Sequence, residues 1–197
     1  MNNLNNLSHI IKGGIFLKKI ISTILVLFML VGCSFDKMDN TPTKKVETYL
    51  NNYQTLNSNV LSELDSIVNE EIMFNNNQKA TYRDLLKKHY QDLTYMIKEE
   101  TVNANKATVE VEIEVNDYTK VLKEAESYKE THKEEFVDEA NEFNEEMFND
   151  YKLGLLKSNK ERVKYTLYIS LTKKGKEWIL DDLTESEQEK ILGIYEY

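Results

Sequence analysis

Apolar positions along the chain change their spacing at definite points, and each change marks a new element. Residues 20–31 form an apolar run broken only by Ser22 and Thr23 and preceded by Lys18 and Lys19. Beyond residue 40 the pattern becomes amphipathic. Val46, Tyr49, Leu50, Tyr53 and Leu56 recur at intervals of three and four, which places them on one face of a helix. Thr41 suits its N-cap and Pro42 its first position. Asn57, Ser58 and Asn59 interrupt the pattern, and Val60, Leu61, Leu64, Ile67 and Val68 predict a second, shorter helix. The polar stretch at 74–79 reads as a loop. Thr81 is then expected to cap a third helix whose inner stripe is Tyr82, Leu85, Leu86, His89, Tyr90 and Leu93.

After Leu93 the period falls towards two. Residues 94–102 read as a strand of imperfect alternation, and 103–106 as a turn. In the next strand Val109, Val111, Ile113 and Val115 alternate with Glu110, Glu112, Glu114 and Asn116. β-Branched residues on one side and charges on the other mean a sheet with one buried face. Residues 117–160 return to helical spacing, with a break at Thr131 where a capping box is expected to start a new helix. That helix would bear Phe136, Val137, Ala140, Phe143, Met147, Phe148 and Tyr151 on its apolar face, with Asp138, Glu142 and Glu145 sharing another. Packing of this stretch against the domain, with Phe136, Phe143 and Met147 buried within the monomer and the acidic face outward, is the expectation. Val163, Tyr165, Leu167, Ile169 and Leu171 restore the strand period, a turn at Lys173-Lys174-Gly175-Lys176 leads into a last strand, and a short helix ends the chain. Helices first and antiparallel strands after them predict an α+β fold: N-terminal helices packed on a curved antiparallel sheet of about four strands, with a helical insertion at 117–160 between the second and third.

The first 32 residues have the layout of an export signal: a basic start, a short apolar stretch and small residues at its end. The apolar stretch is shorter than the ~20 residues a spanning helix needs. Leu30-Val31-Gly32-Cys33 resembles the lipobox of bacterial lipoproteins. The resemblance implies cleavage before Cys33, diacylglycerol (and palmitate) on its thiol, and display on the outer face of the cell membrane. Cys33 is the one cysteine in the chain, so disulfides and thiolate metal sites are excluded. Two acyl chains hold firmly where one holds reversibly. The Asn-rich residues 1–16 are unlike a signal start; Lys12-Gly13-Gly14 is codable as a ribosome-binding sequence, and translation from position 17 is the expectation. Residues 33–40 then form the lipidated cysteine and tether, the polar part reaching at most about 25 Å, and 41–197 form the single domain.

Charge narrows the partners. Three of the 25 basic residues and none of the 34 acidic ones precede Cys33, leaving the mature chain at −12. That argues against nucleic acid, whose phosphates require a basic face, and against a polybasic grip on anionic lipid. Eight carboxylates lie in 134–150 (Glu134, Glu135, Asp138, Glu139, Glu142, Glu145, Glu146 and Asp150), with no lysine or arginine among them. A straight helix face lacks the shaped loop that calcium requires, so a solvated acidic surface is the expectation and no metal site is assigned.

Two segments resemble lipoproteins of the nuclear-transport-factor-2-like superfamily: Thr41-Pro42 with Val46, Tyr49, Leu50 and Tyr53, and the closing hairpin from Lys174 through Trp178 to Leu183. The resemblance implies a sheet wrapped around helices as a cone with a cavity at its open end. It departs at the long insertion. Family members that are enzymes place an acid/base pair in the cone, for which His89, Asp92, Tyr82, Tyr53 and Tyr165 are the residue types available. His89 sits on an apolar stripe and reads as a hydrogen-bonded core histidine, the tyrosines as packed rings, and no catalytic residue or cofactor is assigned. The expected function is a non-enzymatic binding module for a small ligand or envelope protein, with a small-molecule enzyme, isomerase- or dehydratase-like, as the alternative. The lipobox makes a direct prediction. Cys33→Ser should abolish radiolabelled palmitate incorporation and leave uncleaved precursor; labelled, processed protein from that variant would refute it.

Overall fold

The structure, a computed structural model, describes residues 40–196. The signal at 1–32, the lipobox residues Leu30, Val31 and Gly32, and Cys33 lie outside the described residues.

Helix α1 (Pro42–Thr55) starts as its sequence requires: the Thr41 side chain accepts the Lys44 amide, and Pro42 occupies the first position. It ends at Leu56 in the left-handed region, where the Asn57 amide reaches back to the Asn52 carbonyl. Asn57 in turn caps α2 (Ser58–Glu70) by accepting from Val60. Helix α3 (Asn76–Gln91) begins earlier than Thr81. Asn75 and Gln78 form a capping box, each side chain bonded to the other's backbone, so residues expected in a loop have their free amides satisfied and wind into the helix. Thr81 instead bonds the Asn77 carbonyl within that helix.

Four antiparallel strands follow, in the order β1-β2-β3-β4: β1 (Thr94–Asn103), β2 (Lys106–Asn116), β3 (Arg162–Lys174) and β4 (Glu177–Leu180). The imperfect alternation of β1 has a cause. Its register against β2 shifts between Ile97 and Glu99, a bulge that leaves Lys98 without a partner across the ladder. On β2, Ala107, Val109, Val111, Ile113 and Val115 are buried, and β3 places Leu171, Ile169, Leu167, Tyr165 and Val163 directly opposite them. The outward Glu112 pairs with Lys98 and Lys164, and Glu114 with Arg162. Gly175 turns the β3–β4 hairpin at φ 65, a conformation that costs glycine nothing. The closing helix α6 (Glu185–Leu192) opens with a Thr184–Glu187 capping box. α1, α2, α3 and α6 bury one contiguous core against the inner face of the sheet, including Leu50, Leu64, Leu86, Leu93, Ile113, Leu167 and Ile169. The architecture is the expected α+β arrangement, with N-terminal helices and a helical insertion between β2 and β3.

The insertion departs from its sequence reading in detail. Helix α4 (Tyr118–Thr131), capped by Asp117, ends where a break is expected. No helix restarts at Thr131. A 3-10 turn (Lys133–Phe136) leads to a tight hairpin in which Val137 pairs with Phe143, Asp138 accepts from the amides of Ala140 and Glu142, and Asn141 is left-handed at φ 62. Only at Asn144, which caps α5 (Glu145–Ser158), does the helix resume. Asp and Asn side chains satisfy the local backbone and displace a helix that the apolar spacing alone would allow. Asp138, Glu142 and Glu145 therefore share no helical face. Phe136 and Phe148 are buried, whereas Phe143 and Met147 are not. The insertion does pack against the domain, on α3. Tyr118, Val121, Leu153 and Leu156 close on Leu85 of α3, and Ala125, Phe136 and Phe148 form a further aromatic cluster behind them.

Ile113 has no accessible surface and touches the main core, so Ile113→Ala should lower unfolding free energy by about 2–5 kcal/mol. Urea denaturation measures it; a loss under about 1 kcal/mol would show the strand to be peripheral.

Candidate functional site

The space between helices and sheet is filled. Val109, Val111, Ile113, Leu167 and Ile169 from the sheet and Leu50, Leu64 and Leu93 from the helices all have zero accessible surface. A side chain without accessible surface borders neither solvent nor a water-sized void. No space is left among these side chains; clefts lie elsewhere, one of about 350 Å³ between α4 and Tyr165 of β3.

His89 is part of the filling. It has no accessible surface. Its Nε2 donates to the Ile191 carbonyl at 2.8 Å, and its Nδ1 faces Asn116 Nδ2 at 3.4 Å. With Nε2 carrying the proton, Nδ1 is the acceptor and the ring is neutral. The Tyr118 ring lies 4.7 Å away, tilted by 30°. Burial lowers the His89 pKa to about 4, opposed by the Ile191 bond. Asp92 sits at the exposed C-cap of α3, so the two residues form no acid/base pair. Tyr82 is half-buried against Phe74, ring centres 5.5 Å apart. The Tyr165 hydroxyl donates to the Tyr195 carbonyl at 3.4 Å. His132, far from His89 in sequence and fold, stacks on Tyr128 at 3.8 Å.

Tyr53 lines a cleft together with a carboxylate bonded to its hydroxyl. α1 and α2 cross so that Tyr49 and Tyr53, one turn apart, meet Glu63. The two hydroxyls lie 2.9 Å apart, and the Tyr53 hydroxyl donates to Glu63 Oε1 at 3.3 Å. Tyr49 thus donates to Tyr53 and Tyr53 to the carboxylate. The rings of Tyr49 and Tyr90 pack edge-on against Tyr53, at 5.3 and 4.9 Å. A cleft of about 390 Å³ opens beside this chain, lined by Tyr53, Glu63, Glu70, Tyr90, Gln188 and Ile191 among others. Burial raises the Glu63 carboxyl above its ordinary range, with the Tyr53 bond acting against it. Burial also pushes the Tyr49 phenol up to about 12 and Tyr53 well above its usual range, so both stay protonated donors. The arrangement can bind a polar group at the carboxylate and transfer a proton there. Tyr53 was legible as a site-type residue in the sequence. Glu63 was not, because its pairing depends on the α1–α2 crossing; the available signal was a carboxylate flanking the Val60, Leu64 and Ile67 stripe.

Among the described residues no group of three His, Cys, Asp or Glu is placed to hold a metal ion, and no helix is long and apolar enough to cross a membrane. Comparison with family models, curated proteins and solved structures gives no match.

The state of His89 predicts a pH dependence. Its folded pKa of about 4 lies below the ordinary 6.5, so between these values the unfolded chain holds a proton that the folded chain lacks. Stability is full above pH 6.5 and falls as pH drops towards 4. Between pH 7.5 and 4.5 this group alone should remove roughly 2–3 kcal/mol. Urea unfolding of wild type and His89→Leu at both pH values isolates the contribution; the same pH loss in the two proteins would contradict it.

Proposed function

We propose that the chain is a lipoprotein held by Cys33 on the outer face of the cell membrane, and that its nuclear-transport-factor-2-like domain binds a small ligand or an envelope protein without catalysing a reaction. The filled interior carries the non-catalytic part of this reading and shifts its weight from a small ligand held in a cone to a protein partner met at the surface. An enzyme of the cone type needs a reachable titratable group inside it, whereas His89 is sealed and hydrogen-bonded there. The lipobox and the polar tether support the anchor. Asn40, where the tether ends, is tied to the Lys176 carbonyl and the Trp178 amide, so the fold begins at the last tether residue.

A catalytic reading retains one specific support: Glu63, with its raised carboxyl pKa, at the mouth of the Tyr53 cleft. General acid–base work contributes about 10²–10⁴-fold. A turnover that falls by that factor in Glu63→Gln, with the fold intact, would transfer the conclusion to this alternative.

The anchored reading is tested by trypsin added to wall-stripped cells with intact membranes. The mature domain should be degraded while a cytoplasmic control survives. Survival of the domain alongside the control would place it behind the membrane and overturn the proposal.

A further inference from the structure

We propose that the cleft where α3, α5 and β3 meet is a binding site for a phosphoryl oxyanion. The inference rests on the binding-module reading and places the small ligand outside the cone.

The cleft, of about 220 Å³, is lined by Lys88, Asp92, Asn116, Lys157, Lys160 and Arg162 among others. Four cations and one carboxylate thus share it, in a chain of net charge −9. The cations come from separate segments. Lys88 lies in the last turn of α3, Lys157 in the last turn of α5, Lys160 in the loop after it, and Arg162 opens β3. Arg162 is paired, its Nε with Glu114 Oε1 at 3.2 Å. Lys88, Lys157 and Lys160 take part in no ion pair among the described residues, whereas Lys98, Lys106, Lys120 and Lys164 each do.

A lysine at the end of a helix is ordinary, because it offsets the partial negative charge of the terminal carbonyls. That accounts for Lys88 and Lys157 one at a time. It does not account for Lys160, or for the meeting of both helix ends at one cleft, where like charges repel. An anion between them removes that repulsion. One wall is apolar, through the buried Leu85, Tyr118 and Leu156, and a wall of low dielectric concentrates the potential of the charges beside it. The frame is fixed by hydrogen bonds. Arg162 Nη2 donates to the Asp92 carbonyl at 2.9 Å and to the Glu114 carbonyl at 2.7 Å, which ties the end of α3 to the sheet. Asn159 Nδ2 donates to the Asp117 carbonyl at 3.4 Å and to the Glu161 carbonyl at 3.1 Å, which sets the loop bearing Lys160. Sites for drug-sized ligands start at roughly 300 Å³, so this smaller cleft suits a compact ion. A phosphoryl group carries more than one negative charge near neutral pH, and lysine holds it as a point charge. A single carboxylate would leave two of the three lysines without a counter-charge.

The test uses the mature chain made without lipid, which retains every core residue of the domain. Isothermal titration calorimetry measures binding of inorganic pyrophosphate. Flotation measures binding to phosphatidylcholine vesicles with and without phosphatidic acid. Lys88→Gln/Lys160→Gln should weaken binding about tenfold or more, and added salt should weaken it in the unsubstituted chain. Lys174→Gln/Lys176→Gln removes the same charge from the β3–β4 hairpin and should change it by less than about twofold. Asp92→Asn removes the one like charge lining the cleft and should tighten it. All five positions are exposed, and an unchanged thermal midpoint without ligand confirms that the variants fold. Flotation that requires phosphatidic acid and is lost in Lys88→Gln/Lys160→Gln assigns the phosphoryl group to a lipid headgroup. Pyrophosphate binding without flotation assigns it to a soluble ligand. Absence of both, unchanged affinity in Lys88→Gln/Lys160→Gln, an equal loss in the hairpin variant, or no tightening in Asp92→Asn would each overturn the proposal. The binding-module reading would survive these failures, since it is refuted by turnover lost in Glu63→Gln, a residue that none of these variants alters.

Discussion

The close approach of the Gly193 backbone to Asn116 holds the molecule together at the point where its segments meet. A Cβ at Gly193 would lie 2.1 Å from the Asn116 carbonyl oxygen and 3.1 Å from the His89 ring. Only glycine leaves that space, and the left-handed φ of 70 that ends α6 favours glycine as well. From this position the Gly193 carbonyl accepts the amides of Tyr118 and Thr119 at the start of the insertion. The Ile191 carbonyl, two residues earlier, accepts from His89 on α3. One short stretch of backbone thus joins the last helix, the third helix, the end of β2 and the start of α4. Because His89 is neutral where it donates, the joint is secure at neutral pH and loosens on acidification.

The elements whose order follows from apolar spacing are those where side chains meet one continuous core. The β2 alternation of Val109, Val111, Ile113 and Val115, and the α1 spacing of Val46, Leu50 and Tyr53, were readable because a single buried face imposes a single period. Spacing failed where side chains bond their own backbone. Asn75 with Gln78 started α3 ahead of Thr81, and Asp138 with Asn141 folded a hairpin into a stretch whose apolar residues would equally have suited a helix. Both are short polar signals that periodicity ignores, and both lie in plain view once capping and turn chemistry are given equal weight. His89 was legible as a core residue from its apolar neighbours. The Tyr53–Glu63 contact was not, since it arises from a crossing of two helices.

The insertion shows how a fold can enlarge its surface without enlarging its sheet. It adds a second apolar layer on the outer side of α3, through Leu85, Tyr118, Leu153 and Leu156, and so makes α3 a central helix covered on two sides. That layer meets the main core through Tyr82 of α3, which packs against both, and through Tyr118 on the His89 ring.

The bulge in β1 has a wider consequence. A sheet with open ends exposes unpaired amides and carbonyls that another strand can extend, and densely displayed copies of one protein are prone to join in that way. Here Lys98 breaks the register of the edge strand β1, followed by Glu99 and Glu100. That border offers no long, regular, uncharged template, so crowded copies of this sheet are discouraged from joining along it.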